Sequence, residues 1–319
     1  MHLLNIGESR TLDCQVTSVD AEPVKKPIKN NEVNNQLALV YMFSAMALFA
    51  LTDALVKLLT QSLSPIQIVW GRQSGLLLGV IIILAWQGLG VLNTTQPKLQ
   101  ISRGCLAVIS ATLFVIGVTY VPLADAVAIT FVAPFFVTVM GAVFLKESVG
   151  IRRWSAVIIG FLATLIILRP GMGVMHPAAV LLILAAAAFA CRQILSRILS
   201  NADSTLTTVA YTAIVSWVLL TIPLAYVWQT PDTTQEIFLI ITVALVAAIA
   251  ETLLIMALQT GLAVVVAPVQ YSLMIWGTLY GYLLFNQLPD FWTLVGAVII
   301  VITGLYTLNR ERLKAKENR

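Results

Sequence analysis

The chain has 319 residues, of which 59% are hydrophobic and 11% are charged, with a mean hydropathy of +0.92 and a formal net charge of +4. A soluble globular domain is nearer to half apolar and a quarter charged, so this composition excludes an ordinary soluble protein. Apolar segments such as 158–168, 178–190 and 238–250 lie in windows of about 20 residues, the length that a helix needs to cross a bilayer. The composition therefore predicts an all-α integral membrane protein.

Two polar segments flank the apolar part of the chain. Residues 1–36 have no apolar stretch behind their basic residues, so we expect a disordered cytoplasmic tail and not a cleaved signal peptide. Residues 309–319 form a basic cytoplasmic tail at the other end. Between them Pro, Gly, Asn and charged residues mark the ends of ten predicted transmembrane helices: 37–59, 65–87, 101–120, 124–146, 150–168, 177–199, 205–228, 236–258, 262–285 and 290–308.

The basic residues predict the orientation of these helices. With the N-terminus in the cytoplasm, 15 of the 19 Lys and Arg residues fall on the cytoplasmic side, as the positive-inside rule requires. We therefore expect both termini to be cytoplasmic and the protein to be a multi-pass protein of the plasma (inner) membrane. The glycosylation tripeptide at Asn93 falls on the cytoplasmic side in this orientation and is interpreted as a chance match.

One segment of the chain is repeated 140 residues later. "LFALTDALVKLLTQ" (48–61) aligns with "AFACRQILSRILSN" (188–201), so that Gln193 matches Asp53 and Arg197 matches Lys57. The repeated unit contains five helices. Because five is an odd number, the second copy enters the membrane from the opposite side. Two inverted repeats are typical of secondary transporters, which open a shared central site alternately to either side.

Two longer stretches carry a resemblance to a known family. They are "PLADAVAITFVAPFFVTVMGAVFLKESVGIRRWSAVIIGFLATLIILRPG" in the first half and "VAPVQYSLMIWGTLYGYLLFNQLPDFWTLVGAVIIVITGLYTLNRER" in the second. The chain resembles the drug/metabolite transporter superfamily, specifically EamA-type transporters with two five-helix repeats. The resemblance implies repeats at 37–170 and 177–308. The family usually has an acidic residue where this chain has Gln287, which leaves Glu147 as the only carboxylate of that pair.

Three charged residues lie near the outer ends of the first two predicted helices. Asp53 and Lys57 are one turn apart and can pair with each other, with Lys57 reaching the headgroups. Alternatively Asp53 faces a central cavity, since charges inside a membrane usually mark a pathway. Arg72 lies at a similar depth beside a stripe of small residues at Gly71, Gly75 and Gly79, which favours close helix packing. Asp53 and Arg72 are candidates for a gate or for binding a substrate carboxylate or phosphate, and Lys57 and Arg197 for structural or gating roles.

Arg192 and Glu251 are charged residues predicted in the inner half of the membrane. They can form a permanent bridge between two helices. Alternatively Glu251 is the coupling group, because intramembrane carboxyls commonly take up and release protons in transporters. Both interpretations stay open at this point.

Several uncharged residues complete the candidate site. The resemblance places Gln270, Tyr271 and Trp276 around the cavity, and Gln193 is the repeat partner of Asp53. Pro134 and Pro268 interrupt two long helices, which produces either simple kinks or free backbone carbonyls for a substrate or hinge. Glu147 is grouped with these prolines as a structural or gating residue.

The sequence favours one functional class over two others. We expect a secondary active transporter of a small organic metabolite, zwitterionic or amphipathic, such as an amino acid, S-adenosylmethionine or riboflavin, with a proton as the candidate coupling ion. An exporter of toxic amphiphiles is the alternative, and a membrane receptor or scaffold would leave the inverted repeat without a use. We predict no enzymatic activity, no metal or cofactor, no nucleic-acid partner, and a monomer or homodimer in the lipid bilayer.

Overall fold

The computed structural model describes residues 34–144, 150–168, 176–199, 202–261 and 263–317. These ranges contain α-helices, short 3₁₀ segments and turns, and no β-strand. The α-helices, numbered in chain order, are α1 Asn35–Leu59, α2 Pro65–Gln87, α3 Pro97–Tyr120, α4 Leu123–Thr130, α5 Ala133–Phe144, α6 Ile151–Leu168, α7 Ala179–Leu199, α8 Thr205–Val227, α9 Thr234–Thr260, α10 Ala263–Val266, α11 Ser272–Phe285 and α12 Phe291–Glu317.

The helices make ten crossings, as the sequence predicts. Seven spans in the described residues are long and apolar enough to cross a bilayer, and two of the shorter helical stretches are also apolar, at Trp154–Leu168 and Phe291–Tyr306. The one remaining crossing, the ninth in chain order, consists of α10, a 3₁₀ segment at Ala267–Tyr271, and α11. The all-α membrane fold with ten helices is therefore confirmed.

The fourth crossing of each repeat is broken, and a proline lies at each break. Pro134 is the second residue of α5, directly after the interruption between α4 and α5. Pro268 is the second residue of the 3₁₀ segment. A proline is well tolerated at the start of a helical segment, where its missing N–H has no acceptor to reach. The prolines therefore begin new helical segments and do not kink continuous helices.

Eight crossings form a closed ring. Going round it, α1 packs against α9, α9 against α2, α2 against α8, α8 against α3, and α3 against α7. The ring closes because α7 packs against α4 and α5, α4 against α11, and α11 against α1. The remaining two helices, α6 and α12, pack against each other outside this ring, next to the broken crossings.

The ring has the twofold pattern expected of two repeats. Exchanging each helix for its counterpart in the other repeat turns the α1–α9 contact into α7–α3, and the α2–α9 contact into α8–α3. The second helix of each repeat also begins with a serine cap: Ser64 Oγ accepts the N–H of Gln67, and Ser204 Oγ accepts the N–H of Thr207. Such caps satisfy backbone donors that a helix start leaves free.

One pair of helices approaches especially closely. A Cβ atom added at Gly75 of α2 would collide with the backbone carbonyl of Ala244 in α9, whereas one added at Gly79 would meet nothing. Gly71 and Gly75 of the small-residue stripe thus face α9, whereas Gly79 faces open space. This contact fixes the distance between two helices that line the ring.

Candidate transport site

The direction of α1 distinguishes the two ends of the ring. The end at which α1 begins is called the terminal side, and the end at which α1 finishes is called the distal side. Successive crossings alternate in direction, so α7, which is the sixth crossing, finishes on the terminal side. The repeat-related ends of α1 and α7 therefore lie on opposite sides of the ring.

Asp53 and Arg72 form an ion pair within the ring. Asp53 in α1 is only 8% exposed, and its Oδ1 lies 3.7 Å from Nη1 of Arg72 in α2. The sequence also allowed a pair between Asp53 and Lys57 within α1, but the structure pairs Asp53 with the neighbouring helix. A carboxylate in a membrane interior is far less costly beside a guanidinium.

Lys57 closes the distal side and does not reach towards the headgroups. It is 8% exposed, and its Nζ donates to the backbone oxygen of Val121 and, at 3.4 Å, to Oε1 of Gln287. The ammonium also lies 5.3 Å from the centre of the Phe285 ring. The Asp125 carboxylate in the first turn of α4 acts on it electrostatically. Lys57 thus joins the end of α1 to α4 and to the end of α11.

A second charged group lies nearer the terminal side. Arg103 in α3, Arg192 in α7 and Glu251 in α9 act on one another electrostatically. Arg192 and Glu251, both described residues, do not come within 4.0 Å, the limit for a direct ion pair. The guanidinium of Arg192 instead lies 4.7 Å from the centre of the Phe189 ring, and its buried Nε has no hydrogen-bond partner among the described residues.

Arg103 is a candidate site residue that the sequence prediction did not include. The predicted helix began at residue 101, which put Arg103 at the membrane surface, but α3 begins at Pro97 and carries Arg103 into the ring. Its Nε donates to Ser196 Oγ at 2.7 Å, and its Nη1 donates to the oxygens of Thr208 and Thr212. The proline before the charged residue was the available signal, because proline favours the first position of a helix.

The end of α7 is more exposed than the matching end of α1. Gln193 and Arg197 lie on the same helical face as Ala186 and Ala190, which are buried. Gln193 and Arg197 are nevertheless exposed. Their repeat counterparts, Asp53 and Lys57, are buried at the distal end of α1. The same positions of the two repeats are therefore buried on the distal side and exposed on the terminal side.

The contacts between helices also differ at the ends of α1 and α7. Across the ring α1 touches α3 and α4, but no comparably extensive contact joins α7 to α9 or α11 in the described residues. On the terminal side Asp203, between α7 and α8, accepts hydrogen bonds from Thr94 and from Nε2 of Gln100. These bonds hold the pKa of Asp203 below the usual value for aspartate. They join the two repeats on the terminal side.

The aromatic candidates lie in different surroundings. Trp276 in α11 contacts the rings of Phe43 and Tyr280, and its buried Nε1 has no hydrogen-bond partner among the described residues. Tyr271 is stacked on Phe131, with ring centres 5.2 Å apart, so that the two helix breaks touch each other.

The remaining candidates are less engaged with the charged groups. The Tyr271 hydroxyl packs against Gly304 in α12, outside the ring, so this side chain serves packing. Gln270 is exposed in the 3₁₀ segment. Glu147 and most of the N-terminal tail predicted at 1–36 lie outside the described residues.

The fold and the charged groups together define a class of protein, a polytopic membrane protein with two inverted repeats around a charged interior. Comparison with known families makes this specific. Residues 36–169 and 176–309 each match the EamA-like transporter family. The chain belongs to this family, and its relatives are named as transporters, not enzymes.

Named relatives differ in their solutes and directions. The chain is 30% identical to an S-adenosylmethionine uptake transporter of Rickettsia bellii over 72% of this chain and 78% of that protein. It is 29% identical to a riboflavin transporter of Vibrio cholerae over 76% and 83%, and 26% identical to a pseudopaline exporter of Pseudomonas aeruginosa over 80% and 89%. A crystal structure that is 17% identical shares the fold with a TM-score of 0.60, covering 86% of this chain and 98% of that one.

Proposed function

We propose that this protein is a secondary active transporter that moves a small organic solute with charged groups of both signs by alternating access. The observation that carries the proposal is the set of charged side chains between the repeats. Asp53 and Arg72 come from the first repeat, Arg192 and Glu251 come from the second, and Arg103 bonds across to the second. Charges in a membrane interior are expensive and usually mark a substrate or ion pathway.

The difference between the two ends of the ring supports alternating access. Lys57 holds the distal side closed while Gln193 and Arg197 are exposed on the terminal side. The inverted repeats give a second arrangement in which α7 adopts the environment of α1 and the reverse. We further propose that both termini are cytoplasmic, as the basic residues predict, so that the terminal side is the cytoplasmic side and this state is inward-open.

Glu251 is the proposed proton-coupling residue. It is half-buried in α9 and interacts electrostatically with Arg103 and Arg192. Protonation of this carboxylate would remove the negative charge that offsets the two guanidinium groups. The charge balance between the repeats would then change with each proton bound, which is the differential interaction that coupling requires.

The test is counterflow in proteoliposomes. Liposomes with purified protein are loaded with unlabelled S-adenosylmethionine, riboflavin or an amino acid and receive the labelled compound outside. We expect transient accumulation of one chemical class, and loss of proton-driven uptake but not of counterflow in Glu251→Gln. Asp232→Asn, at an exposed carboxylate just before the same helix, is the matched control and should behave as the wild type. Absence of counterflow for every class would contradict the transporter proposal.

A further inference from the structure

The charges within the ring do not balance. Asp53 offsets Arg72 through their ion pair, and Asp125 offsets Lys57 electrostatically. What remains among the described residues of the ring interior is Arg103 and Arg192 against Glu251 alone. This part of the interior therefore has two cations and one anion, although uncompensated charges inside a membrane are costly.

Arg103 and Arg192 lie on neighbouring helices and act on each other electrostatically. Arg103 Nε donates to Ser196 Oγ at 2.7 Å, and Ser196 Oγ donates to the backbone oxygen of Arg192, one turn earlier in α7, at 2.8 Å. The bonds to Thr208 and Thr212 hold Arg103 in place in α3. Two positive charges are thus fixed on adjacent faces of α3 and α7, one from each repeat.

Arg192 also has unused hydrogen-bonding capacity. Its Nε is buried and has no acceptor among the described residues, and Glu251 does not reach it directly. Buried polar groups in proteins are almost always paired, so an unpaired one indicates a missing partner. A guanidinium presents donors in a planar fork that matches a carboxylate.

We infer that Arg103 and Arg192 form the half-site for a carboxylate of the transported solute. This inference rests on the proposed transport function and names the solute class: organic acids and zwitterions that carry a carboxylate. The carboxylate completes the charge balance, bonds to the free Nε of Arg192 and lies between the repeats. Its binding offsets the repulsion between Arg103 and Arg192, which lie on the two neighbouring helices α3 and α7.

The test compares solutes that differ in this one group. S-adenosylmethionine with its decarboxylated form, and tryptophan with tryptamine, are titrated into purified protein, and dissociation constants are measured by calorimetry. The carboxylate member of a bound pair is expected to bind about 10- to 150-fold tighter, the range for hydrogen bonds to a charged group. Arg192→Gln should remove this preference, Arg192→Lys should keep part of it, and the exposed Lys98→Gln at the start of α3 should leave it unchanged. Equal affinity for both members, or a full preference in Arg192→Gln, would overturn the inference.

A ligand-free measurement keeps the inference testable if neither pair binds. Removing an uncompensated charge should leave the thermal midpoint of the empty protein unchanged or higher in Arg192→Gln. Removing the paired Arg72 in Arg72→Gln should lower it. A loss in Arg192→Gln as large as that in Arg72→Gln would show a structural role and overturn the half-site. Counterflow of a solute without any carboxylate preference would overturn the half-site and leave the transport proposal standing.

Discussion

The ends of α1 and α7 are the same piece of sequence in two environments. At the distal end of α1, Asp53 forms an ion pair with Arg72, and Lys57 donates hydrogen bonds to Val121 and Gln287. At the terminal end of α7, the matching Gln193 and Arg197 are exposed. The same repeat positions are thus buried at the distal end of α1 and exposed at the terminal end of α7. Under the proposed alternating access, each end shows the environment that the other end adopts in the second state.

The largest expected effect on stability comes from removing the ion pair between Asp53 and Arg72. Arg72→Gln leaves the carboxylate of Asp53 buried without a partner, and we expect a loss of about 3–5 kcal/mol in the free energy of unfolding, measured in mixed micelles. The double variant Asp53→Asn/Arg72→Gln removes both charges and should recover part of this loss. Equal losses in the single and double variants would show that the pair contributes nothing to the closed end.

The next largest effect is expected at the close contact between α2 and α9. Gly75→Ala places a methyl group against the Ala244 carbonyl of α9. We expect a loss of about 1–3 kcal/mol, since backbone atoms cannot yield as side-chain ends do. Gly79→Ala, in the same helix and in open space, is the matched control for thermal midpoint and expression, and similar losses in both variants would refute a specific α2–α9 contact.

A smaller effect of opposite sign is expected from strengthening the distal side. Gln287→Glu places a carboxylate next to the ammonium of Lys57, which already bonds to this side chain at 3.4 Å. We expect a gain of about 0.5–1 kcal/mol in stability, together with slower transport, because the closed distal side has to open in each cycle. The wild-type rate in the variant would show that the Lys57 contacts do not limit opening.

The smallest effect is expected at the edge of the open side. Bonds from Thr94 and Gln100 lower the pKa of Asp203, so the stabilisation by this carboxylate is present above the usual aspartate pKa. This stabilisation is lost as the pH falls towards the lowered pKa of Asp203. Unfolding measured between pH 8 and pH 3 should show a constant contribution above about pH 5 and a loss below about pH 4. Asp203→Asn should be less stable than the wild type near neutral pH and lack this acid-dependent part; identical pH profiles would contradict the assignment.

The number and positions of the transmembrane helices could be predicted from the sequence, because a bilayer imposes about one length on every apolar helix that crosses it. The sequence was less informative about partners. Asp53 and Lys57 are one turn apart, which predicted a local pair, but α2 brings Arg72 to Asp53, and Val121 at the end of α3 accepts the hydrogen bond of Lys57. Arg103 escaped notice because its depth depends on where α3 begins, and a shift from 101 to Pro97 moves it into the ring. Tyr271 was predicted for the cavity, but the break at Pro268 turns it towards Phe131 and Gly304. Local pattern determines where a helix crosses, whereas contacts between helices decide which side chains meet.

The most direct test of alternating access is the side from which Gln193 can be reached. In a protein with Cys14, Cys105 and Cys191 replaced by serine, Gln193→Cys is exposed to a membrane-impermeant maleimide on one face of oriented membrane vesicles at a time. We predict rapid alkylation from the terminal side alone, and slower alkylation when a transported solute shifts the protein towards its other state. Equal alkylation from both faces, or from the distal side only, would contradict a ring that is closed at Lys57 and open at α7.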